Sequence, residues 1–197
     1  MSKATIVIPM GDPAGIGPEI VLKALASCNV KNRANCVVVG DKSVLEANAK
    51  ICGLSPKFHV ISSVDEADFT DCDVVNLIDL NNAPVESSVE SFEPGKVSGV
   101  CGKAAFEYIK AAIEIAMAKK ADAVCTPPIN KESLRAGLVP YIGHTEIFGE
   151  LTDTADPLTL FEVRNMRVFF LSRHVSLRKA CDMVNTARVV DYVKRCT

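Results

Sequence analysis

Three histidines occur in the 197 residues: His59, His144 and His174. His144 stands between Gly143 and Thr145 in the run YIGHTEIFGE. A Gly-His-Thr turn that opens a helix can present an imidazole, a hydroxyl and free backbone N–H groups to one anion. His174 stands in LSRHVSLR, flanked by Arg173 and Arg178, just past an apolar run expected as a strand over about 167–172. That spacing puts it at the carboxyl end of a strand, where open α/β sheets meet ligands. His59 lies in the short apolar run FHVI and reads as a structural side chain. Taken alone, a histidine is more often a hydrogen-bonded or surface residue than a ligand. Two at the ends of strands or loops of one sheet raise the case for a site, yet they fall short of the three protein ligands that a catalytic metal takes. Lys131, at the start of KESLRA, is a weaker candidate for phosphate binding; its plainer reading is a solvated surface lysine.

A second stretch able to do chemistry lies near the start. MGDPAGIGPEI, residues 10–20, holds three glycines and two prolines. The apolar, β-branched run Ala4–Ile8 before it reads as a buried strand, and residues 18–27 after it as a helix. Pro18 suits the first helical position and Glu19 complements the positive end of the helix dipole. The loop fits neither common phosphate cradle. Gly11 and Gly15 are four apart with no Lys-Ser or Lys-Thr following, and Gly15-x-Gly17 is followed by Ile20 where a dinucleotide fingerprint takes its third glycine. The plainer reading is a tight turn that packs the first helix on the first strand.

The elements that must position these residues alternate. Strands are expected at 4–8, 35–39, 58–61, 73–78, 121–126, 158–163 and 167–172. Helices are expected at 18–27, 42–52, 99–120, over KESLRA and at 186–195, with Asp41 and Asn130 as N-caps. Alternation of this kind means an α/β fold with a parallel or mixed sheet covered on both faces. The loop from Asn81 to Val97, rich in Pro, Ser and Glu, marks the expected crossing between a first domain, 1–95, and a second, 96–197.

Composition narrows the class. Hydrophobic residues make up 48% and charged residues 23%, an ordinary globular balance. The net charge of −2 gives no sign of nucleic-acid binding. No apolar run reaches membrane-spanning length and no signal peptide is evident, so a cytoplasmic location without a membrane partner is expected. The eight cysteines form no CxxC pair and sit in apolar segments, which reads as reduced, mostly buried thiols.

Together, MGDPAGIGPEI, TPPINKESLRAG, YIGHTEIFGELT and LSRHVSLR resemble, in order and over essentially the whole chain, the 4-hydroxythreonine-4-phosphate dehydrogenase family of pyridoxal phosphate biosynthesis. The opening loop is also similar to the GDGIGPE loop of isopropylmalate and isocitrate dehydrogenases, whose α/β/α architecture that family shares, and which lines an interdomain cleft. The resemblance implies NAD-dependent oxidation of a phosphorylated hydroxy acid beside a divalent metal (Zn, Mg or Co), followed by decarboxylation. On the matching positions, His144 and Thr145 would contact the substrate, His174 would be a metal ligand, and a homodimer would build the site. Family chains are longer. Two further metal-binding histidines, a substrate-binding Lys/Asn/Arg set and much of the NAD site fall beyond the position of Thr197, so the family fold is expected to be incomplete in this chain. Two alternatives stand beside this one. The segment SGVCGKAAFEYIKAAIEIA with TPPINKE is closer to the branch acting on 4-phospho-threonate or -erythronate. The chain could also be a non-catalytic remnant that binds a phosphorylated ligand or a partner subunit.

Overall fold

Three successive valines, Val37, Val38 and Val39, are fully buried. Neighbouring strand residues point to opposite faces, so their strand is covered on both sides, as parallel sheets require. The computed structural model, which describes residues 3–71, 73–83 and 92–196, shows the expected α/β fold. Strands β1 (Ala4–Pro9), β2 (Ala34–Gly40), β3 (Lys57–Val60), β4 (Val74–Asp79) and β5 (Ala123–Val124) form one sheet in the order β3-β4-β2-β1-β5. Every pairing is parallel, with Val7 opposite Val37 and Val124, and Val38 opposite Leu77. The helices of this unit are α1 (Gly17–Leu25), α2 (Cys28–Lys31), α3 (Lys42–Ile51), α4 (Gly99–Met117), α5 (Lys131–Ala136) and α6 (His144–Leu151).

The right-handed crossover rule puts α1 and α3 on one face of the sheet and α4 on the other. Contacts of α1 with α3, and of α4 with α5, agree with that arrangement. The core joins Val21, Leu22 and Leu25 of α1, Val44 and Leu45 of α3, and Ala104, Tyr108 and Ala112 of α4 to the strand valines. Each large apolar side chain buried there contributes about 1.5–3 kcal/mol.

The chain divides into two compact units, Met1–Thr154 and Ala155–Thr197. In the first unit, α4 buries its apolar face in the same core as β1 and β2. Part of the Pro/Ser/Glu-rich stretch expected to mark a crossing, residues 84–91, lies outside the described residues.

In the second unit, β6 (Leu160–Val163) and β7 (Met166–Phe169) form a separate antiparallel hairpin, followed by α7 (Leu177–Asp182) and α8 (Thr186–Cys196). The expected strands at 158–163 and 167–172 therefore exist in shortened form but do not belong to the parallel sheet. Their link, Arg164-Asn165, is too short for the crossover a parallel pair needs. Tyr192 anchors α8 to its own unit. Arg188 donates to its Oη at 2.9 Å, and Oη donates to Asp156 at 3.2 Å.

Other expectations need amendment. Asp41 occupies the N-cap position of α3, but its side chain does not cap the helix. The fully buried carboxylate instead accepts from the backbone N–H of Asn82, at 2.9 Å, and of Ala83. The strand expected over 121–126 contracts to β5, because Pro127 and Pro128 have no N–H to continue the ladder. Among the described residues the cysteines are free, as expected, but Cys125 and Cys181 are exposed and only Cys101 is fully buried.

Candidate functional site

Strands β1 and β5 are neighbours whose following connections leave in different directions. After β1 the chain runs to α1; after β5 it runs to α5, which packs on α4. Such a switch point, outside the carboxyl ends of the strands, is where open α/β sheets form a crevice. Two of the sequence motifs meet there. A β-carbon on Gly11, whose φ is +82°, would stand 2.7 Å from the carbonyl oxygen of Pro128. Only glycine combines that backbone with so close an approach. Gly95 N donates to Ala14 O at 2.7 Å from the other side. The opening loop is thus held between the Pro127-Pro128 turn and the segment before α4. Gly11 to Ala14 are buried in that clasp, while Gly15 and Ile16 are exposed at its tip.

Asp12 is buried in the loop, with Oδ1 accepting from Ala14 N at 2.8 Å. Burial raises its pKa above the usual carboxylate value, opposed by the Ala14 N–H and by the nearby Ser133 side chain. Cys101 sits near the same carboxylate, and burial pushes its thiol up to about 11, which makes it an inert core group rather than a nucleophile. Neither Asp12 nor Ser133 stood out in the sequence as a site residue. The one signal was a carboxylate set between Gly11 and Pro13.

The TPPINKE turn leads into α5, which Asn130 caps as expected. Its Oδ1 accepts from Glu132 N at 2.8 Å and Ser133 N at 3.1 Å. Lys131 is exposed at the start of that helix, and its stem runs to the start of α6. Its Cε lies 3.7 Å from where a β-carbon on Gly143 would stand, with Glu146 Oε2 at 3.8 Å from the same point. Gly143 is the N-cap of α6 and has no side chain with which to satisfy the first-turn N–H groups.

The next residue is His144. It is half-buried, and its Nε2 is shut off from solvent without a hydrogen-bond partner. Desolvation lowers its pKa, so the ring is neutral at physiological pH and offers one donor and one acceptor. Thr145, also half-buried, follows in the first turn of α6. The structure therefore brings Lys131, His144 and Thr145 together at one helix end. An ammonium, an imidazole, a hydroxyl and uncapped N–H groups suit an anionic oxygen-rich ligand such as a phosphate.

His174 belongs to the second unit, in the exposed turn between β7 and α7. It does not stand at the end of a strand of the parallel sheet, because β7 is part of the hairpin. Among the described residues no group of three or more His, Cys, Asp or Glu side chains converges as a metal site. His59 is held by Asn76, with Nδ1 and Oδ1 3.1 Å apart.

Comparison with known proteins extends this reading. The family described as "Pyridoxal phosphate biosynthetic protein PdxA" matches residues 32–197. A protein of Fusobacterium nucleatum named "Putative D-threonate 4-phosphate dehydrogenase" is 54% identical over 195 residues, which is 99% of this chain and 57% of that protein. One of the same name from Clostridium botulinum is 53% identical over 196 residues, again covering 57% of the relative. Among solved structures, a 4-hydroxythreonine-4-phosphate dehydrogenase from Burkholderia phymatum superposes with a TM-score of 0.89 at 33% identity, over 99% of this chain and 57% of the other. The chain thus spans little more than half the length of the relatives it matches.

Proposed function

The chain belongs to the PdxA family, and from that premise we propose that it supplies the phosphate-anchoring portion of a dehydrogenase acting on a phosphorylated hydroxy acid. The observation that carries this reading is the orphaned Nε2 of His144 at the uncapped end of α6, beside Lys131. An unpaired buried nitrogen costs about 1–3 kcal/mol, which a bound oxygen would offset. Neutral His144 and the Thr145 hydroxyl direct hydrogen bonds to the ligand, and Lys131 supplies positive charge. These contacts hold the phosphate end, so that the hydroxyl to be oxidised is carried at a fixed distance from it.

Within this reading a nicotinamide cofactor, NAD, would supply a hydride acceptor and a divalent metal, with His174 as one ligand, would supply Lewis-acid chemistry. The described residues do not form a complete site for either. The opening loop lacks a dinucleotide fingerprint, and His174 would be one metal ligand, with the others supplied from elsewhere in a full-length dimer. The exposed Phe161, Val163 and Met166 of the hairpin support a homodimer that covers them. The isocitrate dehydrogenase-like architecture, the two-domain division of the family fold and a cytoplasmic setting belong to the same reading.

For the substrate, the relatives at 53–54% identity favour D-threonate 4-phosphate over 4-hydroxythreonine 4-phosphate, the substrate named for the structure at 33% identity. Calorimetric titration of both compounds into the chain, and assay of NADH formation from each with divalent metal added, test the proposal. Binding of D-threonate 4-phosphate that is lost in His144→Ala is expected. Binding unchanged by that substitution would sink the phosphate assignment.

A further inference from the structure

Glu146 lies in the first turn of α6, and the chemistry proposed above does not use it. It holds the third helical position, from which a glutamate commonly reaches back to the N–H of the capping residue. Here it does not. Among the described residues the Glu146 carboxylate accepts no hydrogen bond, from Gly143 N or from any other group, and forms no ion pair.

Two distances place it. Glu146 Oε2 lies 3.8 Å from the point that a β-carbon on Gly143 would occupy, and Lys131 Cε lies 3.7 Å from the same point. A carboxylate oxygen and a lysine methylene thus border one small space beside a buried glycine. Gly143 leaves that space open, because it has no side chain to fill it. The two charges do not pair with each other, and the Lys131 ammonium has no other ion-pair partner among the described residues. Next to them, His144 Nε2 is also without a partner.

Lys131, His144 and Thr145 can all donate to a ligand, whereas an ionised carboxylate can only accept. A bare anion is served by the three donors and repelled by Glu146. A bare cation is repelled by Lys131. A ligand that carries an anionic group and, close to it, a hydroxyl suits the whole set: its anionic oxygens take the donors, and its hydroxyl donates to Glu146. A phosphorylated hydroxy acid has that pattern, with hydroxyls on the carbons next to the phosphate ester.

We infer that Glu146 is a specificity-determining residue, which accepts a hydrogen bond from a hydroxyl of the phosphorylated ligand and so selects a hydroxylated chain over a bare phosphate. This rests on the reading of Lys131, His144 and Thr145 as phosphate-anchoring groups.

The test is calorimetric titration of three probes into the full chain: D-threonate 4-phosphate, 4-phosphooxybutanoate, which has the same skeleton without the hydroxyls, and inorganic phosphate. Glu146→Ala is expected to weaken binding of D-threonate 4-phosphate by about fivefold or more, the loss of one hydrogen bond to a charged group. The other two probes lack the donor, so their affinity should hold, or rise by about two- to threefold as a like charge leaves. Glu146→Gln keeps an acceptor oxygen and should retain part of the preference for the hydroxylated probe. Equal weakening of all three probes by Glu146→Ala would overturn the inference, since it would mark Glu146 as support for the helix end or for Lys131. Unchanged affinity for D-threonate 4-phosphate would overturn it while leaving the phosphate anchor standing. The anchor is read separately, from His144→Ala: if that change leaves 4-phosphooxybutanoate binding intact, the anchor fails, and the inference with it.

Discussion

A β-carbon placed on Gly102 would stand 1.9 Å from the carbonyl oxygen of Ser133, a separation no pair of non-bonded atoms tolerates. The oxygen is backbone, so no rotamer change relieves the clash. Gly102→Ala is expected to destabilise the first unit by about 3 kcal/mol or more. A urea midpoint equal to that of the wild-type chain would show that α5 is free to move away from α4.

His144 separates binding from stability. His144→Ala removes a hydrogen bond to a charged ligand, so affinity for a phosphorylated hydroxy acid should fall about tenfold or more. Because Nε2 has no partner in the protein, the same substitution should cost little folding stability through lost hydrogen bonding. Calorimetry paired with thermal unfolding checks both halves; a large drop in melting temperature with intact binding would reverse the assignment.

Two buried groups should give stability profiles of opposite sign with pH. Burial holds His144 below its ordinary 6.5. A base that takes up its proton less readily when folded contributes stability that is present above 6.5 and is lost as pH falls through the lower folded value. Burial raises Asp12 above 3.8. Its contribution is fully present below 3.8 and is lost as pH rises through the higher folded value. Unfolding followed between pH 3 and 8 should therefore show a shallower acid-side decline below 6.5 in His144→Leu. Asp12→Asn should remove the component that weakens as pH climbs above 3.8. Profiles superimposable on wild type would mean that neither ring nor carboxyl changes its proton affinity on folding.

Asp41→Ala should cost about 2–3 kcal/mol, because the N–H groups of Asn82 and Ala83 lose the carboxylate they share. Hydrogen exchange at those two amides is the direct measurement, and exchange as slow as in the wild type would contradict the bonding described.

Titration of the isolated chain with zinc should reveal only weak binding, of the kind a single exposed imidazole provides, and His174→Ala should abolish what there is. Tight binding that survives His174→Ala would point to a metal site built from other residues.

Much of this molecule was legible because its local signals agree. The β1–loop–α1 passage carries a β-branched run, φ-demanding glycines and a proline at the first helical turn, all pointing to the same structure. Asn130 is a cap both by pattern and in fact. The hairpin was misplaced for a specific reason. Residues 160–163 and 166–169 have strand character, but strand character says nothing about which sheet a strand joins. The short Arg164-Asn165 link was the clue to antiparallel pairing. Asp41 misled in a similar way, since an acceptor before a helix has local N–H groups as its default partners. Residues 82–83 competed for it from 41 positions away, and no local pattern encodes that. Ser133 was invisible for the opposite reason: serine inside a short helix is unremarkable until tertiary packing turns it toward Asp12.

The pairing of β1 with β5 has a consequence for how the protein is made. Thr5 N reaches the carboxylate of Asp122 across a sequence separation of 117 residues. On the ribosome, β1 can pair with β2 early, yet its other edge must wait until β5 has emerged. Contacts this distant along the chain form slowly, and an unpaired strand edge invites association with other chains meanwhile. The opening loop is synthesised near the start, but the Pro127-Pro128 turn that clasps Gly11 arrives only after α4. The candidate site is thus completed late in synthesis, and substitutions that delay the docking of β5 should lower soluble yield before they alter the finished fold.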